Sequence, residues 1–192
     1  MPELKLYMVL LGCKPKGRFT EQHDIFFGIG KNLAELKPAI RTYWKEAPKI
    51  HIDAWREVNI VDGYRIEVSE TITPEAEPVR AYTEQQLFFI NLGGYKRDEF
   101  DEFHYKMLIV APDLSVAIKM SKESGFYKHT GFEGAVSHID DKYGIDVDDV
   151  YHVEDILNTQ YKNQFRLSIT KADRLMNDEF HLGYLKWDRI AE

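Results

Sequence analysis

An internal repeat constrains this chain more than any other feature of its sequence. Shifting the sequence by 81 positions brings a second set of residues into coincidence with the first, without a gap. The coinciding pairs are Leu11 and Leu92, Gly12 and Gly93, Phe19 and Phe100, Glu21 and Glu102, His23 and His104, and Leu33 and Leu114. A fixed internal period is typical of a duplicated structural unit. The sequence therefore predicts a tandem duplication.

A second repeated segment indicates where the two copies differ in length. His51-Ile52-Asp53 returns as His138-Ile139-Asp140, 87 positions later. Because this offset exceeds 81, the second copy has gained six residues before His138. We expect the insertion within residues 123–134, a stretch that contains glycine and several aromatic residues.

Hydrophobic patterning predicts the same order of elements in each copy, namely strand, strand, helix, strand, strand. The predicted strands of the first copy are residues 4–11, 22–29, 50–61 and 64–68. Asp62-Gly63 is a strong signal for a hairpin turn. Asn32 is a typical helix N-cap, and Pro38 should kink or split the helix that follows it. The expected fold class is α+β with antiparallel sheets.

The repeat also predicts the domain organisation. Residues 1–68 form the first repeat unit, residues 69–86 form a connector rich in proline and glutamate, and residues 87–192 form the second unit. Alternating apolar residues at 165–169 and an apolar run at 182–190 predict two further strands. The first copy has no counterpart to these strands, so we expect them to extend the second unit.

Charge and length exclude several classes of partner. With a net charge of −7 and no long basic run, the chain lacks the positive surface that nucleic acid binding requires. The apolar run at residues 4–11 is too short to span a membrane, so no membrane partner is expected. Cys13 is the only cysteine, which excludes an intrachain disulfide and favours a cytoplasmic protein. A homo-oligomer and all other partners stay open.

The segment Leu10-Leu11-Gly12-Cys13 is similar to the lipidation box of a bacterial lipoprotein. The apolar run before it is shorter than the roughly 7 to 15 residues of a signal-peptide core. The equivalent run in the second copy, residues 87–90, lies deep within the chain, where a signal peptide cannot be. Both runs are therefore predicted to be buried first strands.

Two glycine spacings are similar to nucleotide-binding motifs, but neither motif is complete. After Gly12 and Gly17, Arg18-Phe19 stands where a phosphate-binding loop needs lysine and then serine or threonine. After Gly28 and Gly30, Leu33 holds the position of the third glycine of a dinucleotide motif. The sequence therefore assigns no cofactor.

The repeated polar pairs are the strongest candidates for a functional site. The members of each pair are two residues apart on a predicted strand, so their side chains face the same way. The candidates are Glu21, His23, His51 and Asp53 in the first copy and Glu102, His104, His138 and Asp140 in the second. If the strands are neighbours, these imidazole and carboxylate groups could converge on zinc, manganese or iron. A glutamate beside a histidine could equally serve as a general base.

The structural alternative is that each carboxylate holds its histidine in a buried, hydrogen-bonded brace, which satisfies both polar groups within a sheet. We expect this brace, because acidic strands with a neighbouring histidine are much commoner than metal centres. A ligand-binding role is the third interpretation. No serine or cysteine nucleophile constellation is visible that would indicate another reaction.

Several segments carry a resemblance to a known family. They are Gly12, Lys14–Arg18, Glu21–Asp24, Phe27–Ile29, His51–Trp55 and His138–Gly144. Together they resemble an uncharacterised bacterial family, domain of unknown function fifteen forty-three, over nearly the whole chain. The resemblance implies a bacterial cytosolic protein whose members carry this duplication. It implies no activity, cofactor, partner or catalytic residue.

Two functions from different classes follow from the sequence. We expect a non-catalytic binding or interaction module that uses either the groove between the two copies or the loop at residues 123–134. The alternative is a metal-dependent enzyme, of the hydrolase class, that uses one of the repeated sets of histidine and carboxylate residues.

Overall fold

A computed structural model of the chain describes residues 3–71, 85–96, 98–123, 131–132, 135–136, 138–139, 150–173 and 177–190. The chain divides into two compact units. Unit 1 consists of residues 1–77 together with 157–192, and unit 2 consists of residues 78–156. Antiparallel sheets with a few short helices make up both units, which confirms the α+β class.

The strands are β1 (Lys5–Cys13), β2 (Gln22–Gly30), β3 (His51–Glu57), β4 (Ile60–Val61), β5 (Tyr64–Glu70), β6 (Gln86–Gly94), β7 (Phe103–Ala111), β8 (Gly131–Phe132), β9 (Ala135–Val136), β10 (His138–Ile139), β11 (Val150–His152), β12 (Phe165–Lys171) and β13 (His181–Lys186). The helices are α1 (Lys37–Tyr43), α2 (Leu114–Lys122), α3 (Val153–Ile156) and α4 (Thr159–Gln164), with 3-10 turns at Leu33–Leu36 and Trp187–Arg189. Within the described ranges, no helix is long and apolar enough to cross a membrane.

The main sheet of unit 1 has the order β13-β3-β1-β2, with every neighbouring pair antiparallel. Strand β1 lies between β2 and β3, so both of its edges are hydrogen-bonded. Most of its apolar residues are buried, and Leu6, Val9 and Leu11 are almost fully excluded from solvent together with Ile52 of β3. Burial of such side chains is the main source of stability in a sheet of this kind.

The helical segment after β2 begins and breaks where the sequence predicts. The side chain of Asn32 accepts a hydrogen bond from the backbone N–H of Glu35 at 3.1 Å, which caps the first turn. The carboxylate of Glu35 accepts from the N–H of Lys31 at 2.8 Å. A 3-10 turn then gives way to α1, which has Pro38 in its first turn, where the absent N–H costs nothing.

A smaller sheet of unit 1 has the order β12-β5-β4. Its β4–β5 hairpin turns at Asp62 and Gly63, which both have positive φ, at 51° and 78°. This turn allows two short strands to pair directly and confirms the predicted hairpin.

The two C-terminal strands belong to unit 1, which corrects the expectation that they extend the second copy. Strand β12 pairs with β5, and β13 pairs with β3 at the edge of the main sheet. Asp178, just before β13, strengthens this attachment. Its carboxylate accepts the backbone N–H groups of Asn59 and Ile60 at 3.0 and 3.1 Å and lies 3.1 Å from Nη2 of Arg56.

The sheet of unit 2 is centred on β6, which pairs with β7 on one edge and with β10 and β11 on the other. Asp113 caps α2 by accepting the N–H of Val116 at 2.9 Å, as its sequence position predicts. Helix α2 packs on the sheet through Ala117, and the core of the unit also contains Phe88, Ile90, Leu92 and Ile109.

The two units have the same strand register around an equivalent glycine. In unit 1, Gly12 of β1 pairs with His23 of β2 on one side and with His51 of β3 on the other. The corresponding pairs in unit 2 are Gly93 with His104 and Gly93 with His138. This shared register supports the predicted duplication, which remains a hypothesis.

The turns between the first two strands of each unit are also alike. Gly17 and Asp98, which the 81-residue offset superposes, both have positive φ, at 81° and 65°. The turn hydrogen bonds join the N–H of Arg18 to the carbonyl of Pro15 at 3.2 Å, and the N–H of Glu99 to the carbonyl of Lys96 at 3.3 Å. Because a residue other than glycine rarely adopts positive φ, the conformation at Asp98 is an informative similarity.

Parts of the predicted organisation fall outside the described residues. Strand β5 ends at Glu70 and β6 begins at Gln86, so both strands reach into the connector predicted at 69–86. Residues 72–84 within it are not described. The same is true of most of the insertion predicted at residues 123–134.

Candidate functional site

The candidate side chains of the first copy meet at Gly12. Because Gly12 pairs with His23 on one side and His51 on the other, the two histidines lie on strands that flank β1. Directly opposite residues of antiparallel strands face the same side of a sheet. Gly12 itself has no side chain, so the space above β1 is left free for the two imidazoles and their carboxylate neighbours.

The absence of a side chain at Gly12 is a steric requirement of this arrangement. A Cβ atom built on Gly12 would overlap Nε2 of His51 and Oδ2 of Asp53. These are side-chain atoms of β3 that lie over the β1 backbone. Any other residue at this position would displace them.

Four side chains form what we call the His–carboxylate cluster: Glu21, His23, His51 and Asp53. Nε2 of His51 lies 3.1 Å from Oε1 of Glu21 and 3.3 Å from Oδ1 of Asp53. Nε2 of His23 lies 3.3 Å from Oδ2 of Asp53 and 3.6 Å from Oε2 of Glu21. Each carboxylate therefore reaches both histidines, and ligand atoms of Glu21, His23 and Asp53 all lie within 4.8 Å of one another.

An irregularity in the sheet places Asp53. Leu10 pairs with Ala54 and Leu11 with Ile52, so Asp53 is an extra residue of β3 relative to β1. A β-bulge of this kind redirects a side chain and is frequent beside functional sites. On its other edge, the pairing of β3 with β13 also shifts register at this level. The sheet is thus irregular on both sides of Asp53.

The cluster is buried on one side and exposed on the other. The side chains of His51 and Asp53 are 8% and 23% exposed, whereas those of Glu21 and His23 are 40% and 41% exposed. Although Nε2 of His51 and Oδ2 of Asp53 are buried, neither has a hydrogen-bond partner among the described residues. The nitrogen–oxygen contacts of these two atoms are short, but their geometry does not meet that of a hydrogen bond.

Ring contacts join β13 to β3 at the buried histidine of the cluster and at the neighbouring Trp55. The ring of Tyr184 lies 4.3 Å from the imidazole of His51, with the two planes tilted by 36°. His181 stacks on Trp55, with centroids 3.8 Å apart and an angle of 9°. Gly183, between them in sequence, has a φ of 115°, which is available mainly to glycine. The C-terminal strand thus restricts the orientation of His51.

The second set of candidates is only partly described. Nε2 of His104 lies 3.9 Å from Oε2 of Glu102, and Nδ1 of His104 lies 3.3 Å from Nδ2 of Asn91. The backbone of His138 pairs with Gly93, as that of His51 pairs with Gly12, but its side chain is outside the described part of the chain. Asp140 is not described at all.

Cys13 lies at the end of β1 and is fully buried. Burial raises the pKa of its thiol, and the nearby charge of Glu21 raises it further. Cys13 therefore stays protonated at neutral pH, which does not favour a role as a nucleophile or metal ligand.

In unit 1, His23 and the carboxylates of Glu21 and Asp53 form a group that could hold one metal ion, and Nε2 of His51 contacts both carboxylates. Such a donor set binds borderline divalent cations such as Zn²⁺. Sequence reasoning identified all four side chains, but it missed the steric role of Gly12 and the contact of Tyr184. The steric role of Gly12 could have been predicted, because this glycine is repeated as Gly93. Nothing in the sequence indicates the contact of Tyr184 with His51.

Comparison with known proteins identifies a solved structure with a similar fold and a family that part of the chain resembles. No curated protein matches the chain. The fold is similar to a solved structure described as the crystal structure of a protein Il1583 from Idiomarina loihiensis, at a TM-score of 0.52 and 24% sequence identity. The alignment covers 96% of this chain and 97% of that one. At this identity the likeness concerns the fold alone.

A family model matches the part of unit 1 that contains the whole His–carboxylate cluster. The match lies inside the first copy, and it confirms the resemblance that the segments between residues 18 and 68 indicate. Residues 18–68 are similar to the family described as Domain of Unknown Function (DUF1543).

Proposed function

We propose that unit 1 is a metal-binding module and that the His–carboxylate cluster binds one divalent cation. The observation that carries this proposal is the convergence of two Nε2 atoms and two carboxylates over Gly12. Two ligand atoms at about 2.0 to 2.2 Å from one tetrahedral cation are about 3.3 to 3.6 Å apart. The four nitrogen–oxygen distances in the cluster, 3.1 to 3.6 Å, are close to that separation.

Charge also favours a cation at this position. Two carboxylates close together repel each other, and a divalent cation between them offsets that repulsion. Nε2 of His51 and Oδ2 of Asp53 are buried without a hydrogen bond among the described residues. Buried polar atoms usually have a partner. A bound cation would supply a partner to both atoms at once.

The donor set limits which cation binds. Mg²⁺ and Ca²⁺ prefer oxygen ligands alone, whereas imidazole suits zinc and other transition metals. We therefore infer that Zn²⁺, or a cation of similar preference such as Mn²⁺ or Fe²⁺, is the ligand. This proposal combines the binding role with the metal role that the sequence left as separate possibilities.

The hydrogen-bonded brace fits the cluster less well. A brace needs a directed hydrogen bond for each histidine and little solvent access. His23 is 41% exposed, and the buried Nε2 of His51 has no hydrogen bond within the described residues. Each carboxylate also contacts both histidines, whereas a simple brace needs only one carboxylate for each histidine.

Titration of purified, metal-free protein with Zn²⁺ against a chromophoric chelator tests the proposal. We expect one site in unit 1 with a dissociation constant below about 1 μM, which corresponds to about 8 kcal/mol. His23→Ala and Asp53→Asn should each weaken binding by at least about tenfold. Glu46→Gln removes an exposed acid elsewhere in unit 1 and serves as the matched control.

Thermal unfolding separates a metal site from a brace. In a metal site, His23→Ala loses the stabilisation by Zn²⁺ and melts where the metal-free wild type melts. In a brace, the same variant is less stable than the metal-free wild type by roughly 1 to 3 kcal/mol. Absence of binding by Zn²⁺, Mn²⁺ and Fe²⁺, with that destabilisation, would overturn the proposal.

A metal-dependent hydrolase is the second candidate, and the exposure of Glu21 and His23 is the observation that favours it. A catalytic zinc site keeps one position open to water, which the bound cation makes more acidic. Hydrolysis of p-nitrophenyl acetate and bis(p-nitrophenyl) phosphate tests this candidate. Activity that a chelator removes, that Zn²⁺ restores and that Asp53→Asn lacks would support it.

The second set of candidates stays a proposal of the same kind. Glu102, His104, His138 and Asp140 would form an equivalent site, because the register around Gly93 matches that around Gly12. A zinc stoichiometry of two, falling to one in the variant Glu102→Gln, would support it. A stoichiometry of one that Glu102→Gln leaves unchanged would limit metal binding to unit 1.

A further inference from the structure

We propose that the loop between β1 and β2 binds an oxyanion of the phosphate class, whose oxygen atom adds a fifth ligand to the cation. This inference rests on the proposed metal site and names the ligand that the site takes. The loop, residues 14–20, is here called the cationic loop. It carries Lys14, Lys16 and Arg18 and has no acidic residue.

The position of the cationic loop is fixed by the hairpin that it closes. Cys13, the last residue of β1, pairs with Gln22, the first residue of β2. Gly12 and His23 are the next pair along the ladder, so the loop starts one pair beyond the cluster. Lys14 is two residues from Gly12, a distance of about 7 Å along an extended chain. A flexible lysine side chain can cover such a distance.

The turn in the cationic loop is defined by its backbone. The N–H of Arg18 donates to the carbonyl of Pro15 at 3.2 Å, and Gly17 has a φ of 81°. Lys14, Lys16 and Arg18 are all exposed. Within the described residues, none of the three contacts a carboxylate, so their charges are not neutralised locally.

The charges of the cluster and the loop together favour an anion. Glu21 and Asp53 balance the two positive charges of the cation, so the loaded cluster is close to neutral when both histidines are neutral. The loop then adds three positive charges beside it, in a chain whose net charge is −7. A local positive field concentrates anions near a site.

The exposed side of the cluster gives the anion access. The more exposed side chains are Glu21, which immediately follows the cationic loop, and His23, which lies on β2. Tyr184, whose ring contacts the buried His51, lies on β13, at the other edge of the sheet from β2. A ligand from solvent therefore approaches the cation from the side of the loop.

The equivalent loop of unit 2 has a different charge. At the positions of Lys14, Gly17 and Arg18 the second copy has Tyr95, Asp98 and Glu99. The mixture of acidic and basic residues there gives no net field for an anion. The anion-binding property is thus assigned to unit 1 alone.

The experiment uses the full chain loaded with Co²⁺ and inorganic phosphate as the probe. Phosphate bound to the paramagnetic cation shows strongly increased ³¹P relaxation, whereas the Zn²⁺-loaded protein does not. The variant K14Q/K16Q/R18Q should bind Co²⁺ as the wild type does, while its affinity for phosphate falls by about tenfold or more. Acetate, which has a single charge, should compete weakly.

The matched control is the variant K31Q/K45Q/K119Q, which removes the same charge from exposed lysines outside the loop. It should bind phosphate as the wild type does. Equal phosphate affinity in the two triple variants, absence of ³¹P relaxation by the Co²⁺-loaded wild type, or competition by acetate as strong as by phosphate would overturn the inference. Failure to bind Co²⁺ at all would instead overturn the proposed function.

Discussion

Nε2 of His51 on β3 lies 3.1 Å from Oε1 of Glu21, which directly precedes β2, although β3 and β2 do not pair with each other. The two strands flank β1, and the side chains meet above Gly12. A contact across a central strand requires that strand to lack a side chain at the crossing point. The sheet therefore builds the His–carboxylate cluster around a glycine, and this relationship supports most of the predictions below.

Replacing Gly12 with alanine should disrupt the cluster while the fold persists. The added Cβ would overlap His51 and Asp53, which must then move away from the other ligands. We expect zinc affinity to fall by about 10- to 100-fold and the free energy of unfolding to fall by about 1 to 3 kcal/mol. Zinc titration and denaturant unfolding of the same sample provide both values.

Gly17→Ala is the control for this variant. Gly17 has positive φ but no atom within 4 Å of the position of an added Cβ. Its replacement should cost about 1 kcal/mol of stability through backbone strain and leave zinc affinity unchanged. Equal zinc affinity in Gly12→Ala and the wild type would contradict the steric role of Gly12.

The sequence predicted much of this arrangement because the repeat has no gap between Leu11 and Leu33. An offset of 81 residues aligns Gly12 with Gly93 and so fixes equivalent positions on β1 and β6. Caps and turns were predictable as well, since Asn32 and Asp62-Gly63 act through their own backbone neighbours. These features depend on local chemistry, which a single sequence contains.

Other features could not be predicted, because they depend on which strands become neighbours. Alternation shows which face of β12 or β13 is apolar, but it does not identify the strand that each one pairs with. Both strands were therefore assigned to the wrong unit. The bulge at Asp53 and the contact of Tyr184 with His51 have the same origin, since both depend on long-range pairing.

Tyr184 should act as a positioning residue for His51. Its ring lies 4.3 Å from the imidazole and restricts the rotation of that ligand. We expect Tyr184→Ala to weaken zinc binding by about threefold to tenfold, and Tyr184→Phe, which keeps the ring, to have no effect. Leu182→Ala changes an exposed neighbour on the same strand and should also have no effect. Equal losses in the Ala and Phe variants would show that the ring contact is not the cause.

Asp178 should be essential for attaching the C-terminal segment to unit 1. Its side chain is 3% exposed, contacts Arg56 and accepts two backbone N–H groups. Burial lowers the pKa of Arg56, and the charge of Asp178 opposes this effect. Asp178→Ala leaves the guanidinium buried without that partner, which should lower the free energy of unfolding by about 3 to 5 kcal/mol. The exposed Asp173→Ala should change stability by less than about 0.5 kcal/mol.

Tyr7 should make unit 1 sensitive to alkaline pH. Burial raises the pKa of Tyr7 to about 12, and Glu57, which accepts a hydrogen bond from the hydroxyl at 3.4 Å, adds to the increase. An unfolded tyrosine has a pKa of about 10, so the unfolded chain loses this proton first as the pH rises. The stability contributed by Tyr7 is therefore complete below about pH 10 and is lost between about pH 10 and 12.

Denaturant unfolding of the wild type and Tyr7→Phe across this pH range isolates the effect. The stability difference between the two proteins should be constant below about pH 10 and change by roughly 2 kcal/mol by about pH 12, with the wild type losing more. Parallel stability curves up to about pH 12 would show that Tyr7 ionises as an exposed tyrosine does.

X-ray absorption spectroscopy of the zinc-loaded protein tests the central claim most directly. The proposed cluster predicts a first shell of nitrogen and oxygen atoms at about 2.0 to 2.2 Å, with the scattering pattern of two imidazoles and no sulfur. His51→Ala and His23→Ala should each reduce the imidazole contribution by half. A first shell that contains sulfur at about 2.3 Å, or one whose imidazole signal is unchanged in both variants, would contradict the assignment of the metal to Glu21, His23, His51 and Asp53.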